Sequence, residues 1–481
     1  MQYVAPIAAR RPDPEGTRKI VGVVLYGLGM LMGGLLLLLI FLIPAFTSKH
    51  ANEEVNAMVV GAAFAIPPLV IYLWVPWIVD RYDPEPWWCL LLALAWGGIA
   101  ACGFSALINT FVHVAGDEVQ QGYGDVLGAC VSAPLVEEFF KGLAVFGMFF
   151  FLRRQFDGVV DGVIYATFAA LGFAAVENII YYSNAAREEA VLGHAGVLAG
   201  TVVVRGILGP WGHPLYTSMT GLGFGIARET NKTWLKWLAP LGGYMFAAFL
   251  HSTWNTAATL SNQLVLLMLP LWFLFVLAFF ILVIWLVKRK GKIIRDHLRD
   301  EVLMGNLTPW ELALITSPVG RIKATFRYGG SAGRKFIDAA ARLALSKWHT
   351  GRATMGRKMT VSADMIYPLR QDLFRLRGEI SKAMGKQVQQ PQPWVLPAMQ
   401  PPPQQQQQRR QPQTQQHPQP APHPPPQQHQ PHQQIQQPPG PQPHQPHAQP
   451  QQQQPGQPQG PQTELQAPLG YRQPPPGRPR L

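Results

Sequence analysis

Ala133-Pro-Leu-Val-Glu137-Glu138-Phe-Phe-Lys141 lies inside an apolar run, residues 126–152, long enough to cross a bilayer. A charge at the bilayer centre costs roughly 2.5–3.5 kcal/mol on insertion scales. Such side chains therefore persist where they face one another or enclosed water. At about 3.6 residues per turn Glu137 and Lys141 share a face, with Glu138 about 100° around the helix. A neutralising Glu–Lys pair that only orients helices accounts for Lys141 and one glutamate, but not for the second. Two adjacent acids in low dielectric are not both easily ionised. A carboxyl group that can take up and return a proton suits a general base.

Three more apolar segments carry ionisable groups: Gly172-Phe173-Ala-Ala-Val-Glu177-Asn178, Gly212-His213-Pro-Leu-Tyr-Thr217, and His251-Ser-Thr-Trp-Asn255. His251 and Asn255 stand one turn apart on one helix face. A lone membrane histidine is commonly a packing residue, but that reading does not cover two histidines and three glutamates together. Depth ties them to one site. Glu137 lies 16 residues before Arg153, His213 15 before Arg228, His251 15 after Lys236, and Glu177 16 after Asp161. At ~1.5 Å per residue, all four lie about 22–24 Å from the cytoplasmic charges.

The surrounding pattern predicts an all-α polytopic membrane protein with eight transmembrane helices at about 20–43, 58–79, 87–113, 126–152, 160–183, 196–227, 236–260 and 264–287. The sixth is long and contains Pro210, so a kink or break is expected there. Basic residues fall on one side: Arg10, Arg11, Arg18 and Lys19, then Arg81, Arg153, Arg154, Arg228, Lys232 and the run Lys288, Arg289, Lys290, Lys292. The opposite loops carry Lys49 and Arg187 beside several acids. The positive-inside rule then makes both termini cytoplasmic and predicts a multi-pass protein of the plasma membrane. The polar start leads into an apolar run too long for a cleavable signal peptide.

Four regions follow: a cytoplasmic segment 1–19, the membrane domain 20–287, a basic helical region 288–387 and a Pro/Gln/His-rich tail 388–481. The net charge of +13 is unevenly spread. Residues 1–287 hold 14 Lys/Arg against 18 Asp/Glu, whereas 288–387 hold 21 against 8. A polybasic segment directly after a membrane helix points to anionic lipid as its partner, and no nucleic acid is expected. Within it, Thr308-Pro-Trp-Glu311 is a capping-box helix start. Phe336, Ala339, Ala340, Leu343 and Leu345 form one apolar face, which suits either the membrane surface or a small helical domain packed on itself. The tail has too few bulky apolar residues to offset ordering entropy, so disorder is predicted, and its partner is unknown. Its six histidines are irregularly spaced. Cys89, Cys102 and Cys130 lie in apolar segments without metal or disulfide spacing and read as packing residues.

Together these motifs resemble the PrsW family of intramembrane proteases, distant relatives of the CAAX-prenyl endopeptidases. The resemblance covers about residues 20–287 and includes Asp80-Arg-Tyr-Asp-Pro-Glu-Pro86, Glu137-Glu138-x-x-Lys141, Phe173-x-x-x-Glu177-Asn178, His213-Pro-Leu-Tyr-Thr217 and His251-x-x-x-Asn255. It implies an endopeptidase acting on membrane-anchored, regulatory proteins such as anti-sigma factors. It also implies that Glu137 and Glu138 activate water, that Glu177, His213 and His251 complete the site, and that His251 and Asn255 hydrogen-bond the developing oxyanion. Two versions of the chemistry stay open: glutamate-activated water without a cofactor, or zinc on His213, His251 and Glu177. A proton- or ion-coupled transporter would use the same acids and histidines as a relay. No inverted repeat between the two halves supports that class. A non-catalytic scaffold is the third class. Asp80–Pro86 has no chemistry legible at this level beyond a Pro-rich turn joining two helices.

Overall fold

Apolar runs of this length, broken by short polar loops, fold as helices because only helices satisfy every backbone group within a bilayer. The computed structural model describes residues 14–193, 195–355 and 362–388, and among them there is no strand. Helix α1 (Pro14–Leu37) continues through a π-helical turn into Ile43–Thr47. Next come α2 (Ala51–Val79) and α3, which runs from Trp87–Ala95 through a π turn into Cys102–Val119. Helix α4 enters through Tyr123–Leu127 and a π turn, Gly128–Ser132, before its main body Ala133–Phe151. Helix α5 is Val159–Leu192, α6 is Val197–Val202 with a π turn Val203–Leu208, α7 is Gly212–Glu229 and α8 is Thr233–Leu260. Helix α9, Asn262–Leu303, is the longest.

Five of these are long and apolar enough to cross a membrane: Gly16–Thr47, Ala51–Val79, Trp87–Val119, Val159–Val191 and Gln263–Leu303. Of the other four, α6 is short, and α4, α7 and α8 carry charged and small polar residues of the site, which lowers their apolar character. Leu31, Ile71, Trp77, Leu267 and Leu274 on α1, α2 and α9 are all more than half exposed. So much outward-facing Leu, Ile and Trp is a surface for lipid chains, not for water. The protein is multi-pass.

The segment 196–227 breaks at the proline, as expected, into two helices. Pro210 has no N–H to give and restricts Gly209 before it, so the chain turns at 209–211 and restarts at Gly212. Helix α5 forms the centre, with Ile164, Tyr165, Ala166, Ala169 and Ala170 fully buried. Its neighbours approach to backbone contact where no side chain intervenes. A Cβ on Gly97 of α3 would lie 1.9 Å from Ala169 O, and one on Gly162 of α5 would lie 2.2 Å from Gly221 O of α7. Small residues of this kind let membrane helices pack tightly without a hydrophobic drive.

The expected domain boundary at 287 falls inside α9, which continues unbroken to Leu303 and carries the first part of the basic region. Beyond it, α10 (Pro309–Ile315), α11 (Gly320–Arg327), α12 (Ser331–Met355) and α13 (Ser362–Met384) build a helical module. The capping box at Thr308 and Glu311 forms as expected. Phe336, Ala339, Ala340, Leu343 and Leu345 are buried against Ile294, Leu298, Leu307, Leu373 and Ile380. The apolar face of α12 is therefore internal to the module and does not face lipid. Segment 1–13 and the tail from 389 onward, including the disorder expected there, lie outside the described residues.

The Asp80–Pro86 motif gains a structural role. Asp80 Oδ2 accepts from Glu85 N at 2.5 Å, closing the turn, and Tyr165 of α5 donates to Glu85 Oε2 at 2.5 Å. Asp83 faces Lys290 of α9 at 3.9 Å and Arg342 of α12 at 3.5 Å. Asp161 caps the start of α5 by accepting from Asp157 N and Gly158 N, and Lys290 donates to it at 2.8 Å. Burial pushes the Asp80 carboxyl up to about 8 and Asp157 to about 7, and holds His349 of α12 down at about 3. This ionic group joins the α2–α3 and α4–α5 loops to the helical module.

Candidate active site

The side chains singled out in α4, α5, α7 and α8 converge on one ammonium group. Lys141 is fully buried, and its Nζ lies 3.3 Å from Glu137 Oε2, 2.9 Å from Glu138 Oε1 and 2.9 Å from His213 Nδ1. It also stands 3.8 Å from the ring centre of Phe173 on α5, a desolvated cation–π contact. The two glutamates have different surroundings. Glu138 is saturated: Thr217 donates to Oε2 at 2.7 Å, while Oε1 meets both Lys141 and His251 Nδ1 at 3.2 Å. Glu137 is held loosely, by Asn109 Nδ2 at 3.4 Å and with His251 Nε2 at 4.0 Å. Both glutamates pair with Lys141, and Glu137 is the less engaged of the two.

His213 and His251 stand 5.1 Å apart with perpendicular rings, and Tyr216 stacks on His251 at 5.0 Å. Glu177 accepts from His213 Nε2 at 2.8 Å and from Arg205 Nη2 at 2.5 Å. The common depth inferred from helix spacing is therefore realised as direct contact among Glu137, Glu138, Lys141, Glu177, His213 and His251. Asn255 donates to Ala129 O at 3.0 Å, and Ser252 donates to Cys130 O at 2.6 Å. Those carbonyls belong to the π turn that leads into α4, where the regular helix ladder is interrupted. Side chains of α8 satisfy them, as a dry environment requires.

Glu177, Arg205, His213, His251, Asn178 and Asn255 line a cavity of 240 Å³. Arg205 was missed in the sequence, although it follows the rule that found the rest: a charge inside an apolar segment. Asn109 and Ser132, which form a chain to Glu137, carried no such signal because neutral polar groups are ordinary in membrane helices.

One ligand atom each from Glu137, His213 and His251 lie within 4.8 Å of one another. Two imidazoles and a carboxylate form a donor set that fits a catalytic zinc ion. Glu177, expected in this set, instead supports His213 from behind and neutralises Arg205.

Buried acids, histidines and a lysine thus meet beside a cavity among the helices of a multi-pass membrane protein. A family model described as PrsW family intramembrane metalloprotease matches residues 85–286. The protein named Protease PrsW from Geobacillus kaustophilus is 26% identical over 247 residues, 50% of this chain and 93% of that relative. Protease PrsW from Bacillus subtilis is 26% identical over 229 residues, 47% and 92%. That from Clostridioides difficile is 32% identical over 130 residues, 26% and 52%. No solved structure matches. Residues 85–286 thus match the domain of the PrsW proteases.

Proposed function

We propose that the protein hydrolyses a peptide bond of a membrane-anchored protein within or near the bilayer. Regulatory proteins of the anti-sigma-factor kind are the substrate class. The observation that carries this reading is the cluster beside a cavity in which Glu137, Glu138 and His213 meet Lys141 and His251 meets Glu138. Glu137, the less engaged acid, removes a proton from water as the water oxygen attacks the carbonyl carbon. The carbonyl π pair moves to oxygen, then returns as the C–N bond breaks, and Glu137 passes its proton to the leaving nitrogen. Glu138 holds Lys141 and His251 in place, and Glu177 fixes the ring of His213.

A second reading rests on the donor set of Glu137, His213 and His251. A zinc ion bound there would polarise the scissile carbonyl and ease deprotonation of water. Lys141 favours the metal-free version, because its ammonium already contacts Glu137 and His213.

Eight crossings of the plasma membrane with both termini cytoplasmic complete the proposal, so that the basic module faces anionic headgroups through its charges. Comparing membrane-protein fragments in cells with wild type and Glu137→Ala tests activity and target together. A fragment that depends on Glu137 supports the reading, and identical fragment sets oppose it. With the purified enzyme, a chelator that abolishes cleavage, restored by zinc, selects the metal version. Indifference to chelation selects the glutamate version.

A further inference from the structure

Arg205 sits in a π-helical turn, a geometry often kept at functional sites. Its guanidinium is fixed on three sides. Nη2 donates to Glu177 Oε2 at 2.5 Å, Nε donates to Asn178 Oδ1 at 2.8 Å, and the plane lies 3.8 Å over the Tyr181 ring centre. Tyr72 braces the turn itself by donating to Gly206 O at 2.5 Å. Arg205 lines the cavity and is a quarter exposed, and among the described residues its Nη1 has no hydrogen-bond partner. A neutraliser of Glu177 alone needs neither the Asn178 contact nor a guanidinium edge left open to a cavity. Lysine would serve for that purpose.

We propose that Arg205 is a substrate-binding residue whose Nη1 donates a hydrogen bond to a main-chain carbonyl of the substrate beside the scissile bond. This rests on the proteolytic reading of the site above. A membrane-spanning substrate must unwind before water can reach its peptide bond, and each unwound carbonyl loses its helical partner. In a dry site such a carbonyl needs a donor. The neutral acceptor also suits the site, since Glu177 already balances the arginine's charge and a substrate carboxylate would compete with it. Because the guanidinium is held before substrate arrives, little side-chain entropy is lost on binding.

The test uses the full-length protein in liposomes with a synthetic single-span substrate. Arg205→Lys keeps a cation for Glu177 but loses the forked edge, so KM should rise about 10–100-fold, the usual weight of a hydrogen bond to a charged donor, with kcat changed less than threefold. Replacing one substrate amide by an ester, scanned across the cleavage region, weakens the acceptor carbonyl. At one position it should raise KM for wild type and add nothing for Arg205→Lys. Wild-type KM for Arg205→Lys overturns the proposal, as does a loss confined to kcat or equal ester sensitivity at every position in both proteins. If Arg205→Lys does not fold, the ester scan on wild type decides alone, and a flat profile refutes the proposal. In each case loss of cleavage by Glu137→Gln leaves the proteolytic reading standing, so the two failures are distinguishable.

Discussion

Removing the ammonium at the centre of the site should be among the most damaging single changes in the membrane domain. Lys141→Met keeps most of the side-chain volume but leaves Glu137 and Glu138 without their shared cation, which lies 3.3 and 2.9 Å from them in a fully buried position. Breaking a buried pair by deleting one partner typically costs about 3–5 kcal/mol, because the remaining charge is uncompensated. The lost contacts to His213 and the Phe173 ring act in the same direction. Deleting both members of a pair costs far less than deleting one. Lys141→Met/Glu138→Gln should therefore recover about 1–3 kcal/mol relative to the sum of the single changes. Reversible unfolding in mixed micelles, monitored by tryptophan fluorescence, measures all three proteins. A loss below about 1 kcal/mol for Lys141→Met, or strict additivity in the double variant, would refute a charge-centred site.

Gly97→Ala places a Cβ 1.9 Å from Ala169 O and should cost at least about 2 kcal/mol, while Gly27→Ala, which meets nothing within 4 Å, should be near neutral in the same assay. Glu229→Gln weakens the pair with Arg289 at 2.6 Å and the contact to Val159 N at 3.1 Å, so amide exchange at the start of α5 should quicken while the site is unchanged. The carboxyl groups of Asp80, at about 8, and Asp157, at about 7, hold protons in the folded state that the unfolded chain releases near its ordinary range of about 4. Their stabilisation is complete below that range and is lost as pH rises to 8. His349, held at about 3, has the opposite dependence and loses its share as pH falls below about 6.5. Stability should therefore fall between pH 6.5 and 8, by up to about 1 kcal/mol per unit for each acid, and Asp80→Asn should flatten that slope.

Much of the site was legible because a membrane makes charge expensive. Glu137, Glu138, Lys141, Glu177, His213 and His251 all stand out against Leu, Val and Phe, and near-equal spacing from charged helix ends places Glu137, Glu177, His213 and His251 at one depth. Arg205 obeys the same logic but stands alone, outside the motifs that group the other charges. The break at Pro210 puts that arginine on a separate piece of chain beside Glu177. The face Phe336–Leu345 was ambiguous for a physical reason: helical periodicity shows that one side avoids water, not whether lipid or α9 and α13 cover it. The roles of the two glutamates depend on partners far away in sequence, Thr217 for Glu138 and Asn109 for Glu137. No local pattern announces such pairings. The same is true of Asp83 and Arg342, which meet across more than 250 positions.

Single-turnover cleavage of a pure membrane-anchored peptide by reconstituted enzyme tests most directly whether Glu137 is the base of an intramembrane peptidase. Glu137→Gln preserves shape and hydrogen-bonding capacity but cannot accept the proton. Cleavage should slow by about 10²–10⁴-fold while substrate binding and folding stay at wild-type levels. Cleavage by Glu137→Gln at the wild-type rate would contradict the assignment.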